Sequence, residues 1–233
     1  VDLTGVTVML DVGHGGVDGG AVGTDANGNQ VEEADRNLAL ANATGDILLF
    51  SDEDIRYHTG YAESILDTFH QHPEADLILF NVEVCPERKT YWNESYRPVK
   101  WYNCGRYPAY SIAVRKSSLD SAKVVYSELF GGGAKYSNGE DSLFLKECAD
   151  GGIKMFASEV VIGREEPRES TWFHGYTEKF FFDRGVLYRF MYKRMAKPFA
   201  LRFLLAHKDI MCREIPVKKA FSIMCEGIKE ADR

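Results

Sequence analysis

The chain has 233 residues, 45% of them hydrophobic and 27% charged, with a formal net charge of −7 and a pI near 5.4. That length suffices for the full core of one domain, and the composition is that of a globular protein, which excludes disordered and fibrous classes. The acidic balance excludes general nucleic-acid binding, which needs a basic field against phosphates.

In chain order, Gly5 to Val12 reads as a short buried strand, followed by a glycine-rich loop through Gly28. Leu38, Leu40 and the neighbouring alanines predict a helix from Gln30 to Ala43, with Thr44-Gly45 as its stop signal. The unbroken Ile47-Leu48-Leu49-Phe50 run then predicts a strand covered on both faces. It ends at Ser51 and delivers three consecutive acids, Asp52, Glu53 and Asp54. Tyr61, Ile65, Leu66 and Phe69 form one stripe of a helix closed by Pro73, and Ala75 to Val84 is the next strong strand. The polar and aromatic segment from Pro86 to Pro108 lacks periodicity and reads as an excursion or hairpin near the site. Ser117 or Ser118 caps a helix that is expected to run to about Phe130, where Gly131-Gly132-Gly133 breaks the backbone. Asn138-Gly139-Glu140-Asp141 opens a further helix ending at Gly151-Gly152, and a strand from Ile153 to Ala157 follows. From Glu178 onward the pattern is helical, broken at Pro198 and Pro216.

Five cysteines without a Cys-x-x-Cys pair fit neither a disulfide framework nor a zinc knuckle, so a reducing compartment is the simplest reading. No apolar run reaches the ~18 residues of a spanning helix. Val1 opens without a secretion signal, and the absence of an initiator Met suggests that the true beginning is missing.

Acids at the carboxyl end of a buried strand occupy the place where open α/β sheets bind ligands. Close carboxylate oxygens suit Mg²⁺ or Mn²⁺, which commonly share their coordination with substrate phosphates, so a nucleotide diphosphate is the natural candidate. The competing reading of Asp52 and Asp54 is a pair of solvated turn residues, and that of Asp141 is an acid stabilising a helix N-terminus.

From about Arg36 to the end, several motifs agree in order and spacing with one family. Arg36 to Leu40 with Ala43-Thr44-Gly45-Asp46, the acidic triplet Asp52-Glu53-Asp54, and Gly139-Glu140-Asp141 resemble a family 2 glycosyltransferase of the GT-A fold. Glu169 to Phe173 and Lys179 to Gly185 are similar to segments of members that build surface polysaccharides. The resemblance implies a metal (Mn²⁺ or Mg²⁺) on Asp52 and Asp54, with Arg36, Asp52 and Glu53 on the donor side. It implies Asp141 as catalytic base and Glu140, Trp172 and His174 on the acceptor side. Arg36 reads equally well as a solvated helix charge, Trp172 as a packed core ring and His174 as a surface residue.

A second resemblance lies at the front. Val8 to Gly16, Asp18 to Ala21, and Glu33 before Asn37-Leu38-Ala39 look like the opening of a zinc-dependent N-acetylmuramoyl-L-alanine amidase, in which His14 and Glu33 would bind zinc. A working site needs a third protein ligand. The strand Ala75 to Asn81 carries no His, and His58, His70 and His72 have a different spacing, so an intact amidase is not expected. The two resemblances overlap at Asn37 to Ala41, which implies a junction there and a chimeric or truncated, incomplete donor-binding half.

The expected architecture is α/β and GT-A-like: a mostly parallel sheet flanked by helices over residues 1–177, residues 1–41 being atypical, with a helical extension over 178–233. The expected function is metal-dependent, inverting transfer from a nucleotide-sugar donor to a saccharide or lipid-linked acceptor in surface polysaccharide synthesis. The alternatives are a zinc amidase and a degenerate, non-catalytic transferase fold. A cytoplasmic location is expected. The basic residues between Phe180 and Phe203 would allow peripheral contact with the inner face of the membrane, although snorkelling side chains over a packed helix give the same pattern.

Overall fold

The structure is a computed structural model and describes residues 6–11, 23–24, 30–31, 36–52, 54–86, 89–131, 134–137, 139–166 and 175–231. Its centre is a seven-stranded sheet. The strands are β1 (Val6–Asp11), β4 (Ile47–Asp52), β5 (Ile55–Tyr57), β6 (Leu77–Glu83), β7 (Arg97–Val99), β8 (Ile112–Arg115) and β9 (Met155–Glu165). A separate two-stranded ribbon joins β2 (Gly23–Thr24) and β3 (Gln30–Val31). The helices are α1 (Arg36–Asn42), α2 (Tyr61–Gln71), α3 (Lys116–Ala122), α4 (Glu140–Asp150), α5 (Glu178–Tyr192), α6 (Ala196–Met211) and α7 (Val217–Glu230).

Across the sheet the order is β1-β4-β8-β6-β9-β5, with β7 also paired to β9. The expected α/β class holds, but the sheet is mixed where a mostly parallel one was expected. Only β1/β4 and β6/β9 pair in parallel; the other four pairings are antiparallel. The cause is one short strand. β8 runs against its neighbours and lies between β4 and β6, so it turns both central pairings antiparallel while β1, β4, β6 and β9 still share a direction.

β4 and β6 are buried along nearly their whole length, with Leu48, Leu49, Leu77, Ile78 and Leu79 fully inaccessible. Continuous apolar runs suit strands covered on both faces. Parallel β6 and β9 do not stay in register: after Leu79 paired with Ala157, Asn81 pairs with Val161. The extra β9 residues leave backbone groups without a ladder partner, and two buried asparagines take them up. Asn81 Nδ2 donates to the Glu159 carbonyl at 3.1 Å and to Asn93 O at 2.9 Å. Asn93 Nδ2 reaches Leu79 O at 3.0 Å and Ser158 O at 3.2 Å, while Tyr107 donates to its Oδ1 at 3.0 Å. Buried amides are tolerated when so fully bonded.

Several expected boundaries move. The helix expected from Gln30 begins at Arg36, because Gln30 and Val31 pair as β3. The helix expected to reach Phe130 stops at Ala122, where Lys123 adopts a left-handed conformation (φ 54°). Beyond it the backbone of Tyr126 bonds to the Asn37 side chain, its N–H donating at 2.8 Å and its C=O accepting at 3.0 Å. That tertiary clamp replaces further helical bonds. The strand expected to end at Ala157 continues to Glu165, since β5, β7 and β6 all pair with it.

The apolar interior falls into two clusters. One packs α1, α2, α3 and α4 on the sheet; the other unites the residues before α4 with α5, α6 and α7. α5 and α7 approach through glycines: a Cβ on Gly185 would stand 2.2 Å from Met224 O, and one on Gly227 2.1 Å from Phe182 O.

Candidate functional site

Asp52 is the last residue of β4 and is half-buried, as is Asp54 in the turn that follows. The turn is gripped from its far side, because β5 pairs antiparallel with the end of β9. The Asp54 carbonyl accepts from Glu166 N at 2.7 Å. The strands approach so closely that a Cβ on Gly163 would lie 2.8 Å from Arg56 O. Arg56 and Glu166 add an ion pair at 2.7 Å, exposed and therefore of small energetic weight.

Next to these acids the Tyr57 hydroxyl is buried beside Ser51 and makes no hydrogen bond of good geometry among the described residues. Ser51 lies beside it but turns its own hydroxyl to the Asp52 carbonyl at 3.2 Å. Burial, with a smaller contribution from the nearby Asp52 charge, pushes the Tyr57 pKa well above the usual phenol range. A buried hydroxyl without a well-formed hydrogen bond is uncommon, and this one adds a polar group beside the acids.

Asp141 is the second residue of α4, a helix entered through Gly139 at φ 111°. A side chain at Gly139 is excluded twice over, since its Cβ would stand 2.3 Å from Leu187 Cδ2. Asp141 Oδ2 accepts from Ala109 N at 2.9 Å, and the Tyr126 hydroxyl approaches Oδ1 at 3.5 Å. The amide donor and the helix N-terminus both stabilise negative charge on this carboxylate.

Two lines of geometry bring Asp52 and Asp141 to the same end of the sheet. Phe50 packs edge-on against Phe144 at 5.4 Å, and Tyr126 stacks on Phe144 at 4.3 Å. Phe50 precedes Asp52 by two residues, so strand periodicity puts both on the sheet face that α4 covers. Phe144 lies within a turn of Asp141. Independently, β4 and β8 pair as far as Leu49 opposite Ala113, and the turn that precedes β8 packs against β4. Ala109, whose amide holds Asp141, belongs to the same 3₁₀ turn, Ala109–Ser111.

Of the other expected residues, Glu140 opens α4 half-buried, its carboxyl group beside Gly131. Arg36 begins α1, and its side chain lies outside the described residues, as do Glu53, Trp172, His174, His14 and Glu33. Asn37 and Gly139 stand inside motifs legible in the sequence without a role of their own there, and Tyr126, Ala109 and Tyr57 shape the site without any such signal. Asn37 and Tyr126 are 89 positions apart, so no local pattern could have paired them.

Among the described residues no cluster of three or more His, Cys, Asp or Glu is arranged to hold a metal. Two neighbouring carboxylates nonetheless fit the mode in which Mg²⁺ or Mn²⁺ takes one or two protein oxygens and completes its shell with water and phosphate. Two cavities lie elsewhere. One of about 390 Å³ lies between Lys135-Tyr136 and α5 and α7, and one of about 620 Å³ lies at the opposite end of β4, around Asp46, Arg115 and Lys116. The acids line neither.

Residues 27–120 match the family described as glycosyl transferase family 2, a span that contains Asp52 and Asp54 and ends before Asp141. No curated protein matches the chain. Among solved structures, S. aureus TarS 1-349 in complex with UDP-GlcNAc is similar with a TM-score of 0.56 at 15% identity, over 84% of this chain and 62% of that one. S. aureus TarS 1-349 in complex with UDP gives 0.52 at 15% identity, over 77% and 52%. S. aureus TarS gives 0.53 at 14% identity, over 84% and 37%. The chain thus spans about three fifths of the length of TarS 1-349.

Proposed function

We propose that this chain, whose residues 27–120 carry a family 2 glycosyltransferase segment on a GT-A-like fold, transfers a sugar from a nucleotide-sugar donor to an acceptor hydroxyl, with inversion at the anomeric carbon. The observation that carries the reading is the convergence of Asp52-Asp54 and Asp141 on one end of the sheet from opposite ends of an aromatic contact, Phe50 on Phe144. Such transfer needs a stabilised diphosphate leaving group and an activated hydroxyl, and two separate acidic centres meet those two needs. The UDP-GlcNAc and UDP bound to TarS suggest the class of donor.

Asp54, assisted by Asp52, would hold Mn²⁺ or Mg²⁺, which neutralises charge on a departing diphosphate when bound. Asp141, aimed by Ala109 N, takes the proton of the acceptor hydroxyl, a role commonly contributing about 10² to 10⁴ in rate. Attack from the Asp141 side, opposite the diphosphate, inverts the configuration. Glu140, Trp172 and His174 belong to the acceptor side and Arg36 and Glu53 to the donor side. Residues 1–177 form the transferase domain and 178–233 its helical extension. The acceptor is a saccharide or a lipid-linked saccharide of surface polysaccharide synthesis in the cytoplasm, with peripheral membrane contact through the basic C-terminal helices.

Thermal denaturation with a panel of nucleotide sugars, with and without Mn²⁺, tests the reading, because a ligand of the native state raises apparent stability by mass action. A metal-dependent rise with one or more donors is expected, and Asp54→Ala should remove it. Stabilisation by no donor would reject the reading.

A further inference from the structure

The net charge of −7 is not evenly spread: between Arg184 and Lys208 the sequence contains seven Lys or Arg and neither Asp nor Glu. Five of them, Lys193, Arg194, Lys197, Arg202 and Lys208, lie in the turn before α6 or on α6 and are exposed. α6 buries Ala196, Ala200 and Leu204 against the helical cluster. Its opposite face carries Leu201 (41% exposed) and Leu205 (55%), with Met195 (50%) at its start. Leu201 and Leu205, one turn apart, form a single ridge, with Lys197 and Lys208 on one flank, Arg202 on the other, and the exposed Asp209 one turn beyond Leu205 as its acidic end. The face turned to solvent is therefore itself amphipathic.

A second exposed segment lies beside α6 on the flank of Met195 and Arg202. Trp101 packs against the Phe199 ring at 5.9 Å, and Phe199 lies one turn from both Met195 and Arg202 on α6. Trp101 and its edge-on neighbour Tyr102 are 43% and 49% exposed. They sit between exposed Lys100 and Arg106 in a stretch, Ser95 to Leu119, that also lacks Asp and Glu. Trp and Tyr favour the headgroup level of a bilayer, where an apolar body and a polar edge are both accommodated. No described helix is long and apolar enough to cross a membrane.

We infer that the outer face of α6, together with Trp101 and Tyr102, docks on an anionic lipid surface, with Leu201 and Leu205 entering the headgroup boundary between basic side chains. The charge excludes a zwitterionic bilayer as the preferred partner, since each Lys or Arg near an anionic surface adds roughly fivefold in binding. The inference sharpens the peripheral membrane contact proposed above to one helix face and one class of lipid, and it rests on the geometry of α6 rather than on the transfer chemistry.

The test is co-sedimentation of the full chain with vesicles of phosphatidylglycerol and phosphatidylcholine, compared with phosphatidylcholine alone. Binding to the anionic vesicles only is expected, with a blue shift of tryptophan emission that Trp101→Phe diminishes. Lys197→Gln with Arg202→Gln and Lys208→Gln should weaken binding by more than about tenfold, and Leu201→Ser with Leu205→Ser several-fold, with circular dichroism and melting unchanged because these positions are exposed. No binding to anionic vesicles, or equal binding by wild type and variants, overturns the inference. So does a concentration-dependent dimer in lipid-free sedimentation velocity that Leu201→Ser with Leu205→Ser abolishes, which would assign the face to a second copy. Nucleotide-sugar binding measured on the same preparations reports on the transferase reading separately.

Discussion

Asp141 owes its position to residues scattered along the chain. Ala109 supplies its amide donor, Asn37 pins the Tyr126 backbone, and Gly139 leaves room for Leu187 at the helix entrance. Asp141→Asn keeps an acceptor for Ala109 N but cannot take a proton, so it should retain donor affinity while transfer falls by about 10² to 10⁴; single-turnover kinetics beside a binding titration would separate the two. Gly139→Ala should be worse for folding than an ordinary surface change. It combines a positive φ with overlap on Leu187 and is expected to lower stability by more than about 1 kcal/mol in urea unfolding. The cysteines offer a check of burial itself. Burial pushes the Cys104 thiol up to about 12 and that of Cys148 higher still, whereas Cys85 is exposed. Alkylation of the native protein at pH 8 should therefore mark Cys85 early and reach Cys104 and Cys148 only after unfolding, since the thiolate is the reactive form. Early labelling of Cys104 would contradict its burial in the core.

Among the elements, those whose signal is local were legible and those defined by a distant partner were not. The Ile47 to Phe50 and Leu77 to Val82 runs announce strands because burial on both faces demands continuous apolar sequence. β8 has only four residues, follows a 3₁₀ turn, and is a strand because β4 and β6 hold it from either side. Its reversed direction, which makes the sheet mixed, leaves no mark on its own residues. The acids after β4 were readable for the same reason as the strand. Tyr57, three residues further on, was not, because its significance lies in a hydroxyl that the fold buries beside Asp52. α5 presents a comparable case. Asp183 is 2% exposed and accepts from Ser137 N at 2.9 Å, Ser137 Oγ at 2.7 Å and Lys179 Nζ at 2.6 Å. It thereby ties the residues leading into α4 to the helical cluster. Asp183→Ala strands the Ser137 groups and should lower stability by about 1–3 kcal/mol in denaturant unfolding. A loss below a few tenths would show that Ser137 finds other partners and that the tie is unimportant.

The molecule as a whole is a mixed sheet whose carboxyl-end acids meet the N-terminus of α4 across an aromatic contact, flanked by a three-helix cluster with a basic outer face. Stability and the proposed site are drawn from different parts of it. The Asn81–Asn93 network and the apolar strands hold the sheet, while the acids gather where strands end and turns begin, the usual ligand-binding edge of α/β folds. The central claim is that the two acidic centres face one cleft. Anomalous diffraction from crystals soaked with Mn²⁺ and UDP tests it most directly. The account predicts a manganese peak on Asp54, with the diphosphate bridging from it into the space that Asp141 faces. A peak on other residues, or a nucleotide seated with Asp141 turned away from it, would contradict it.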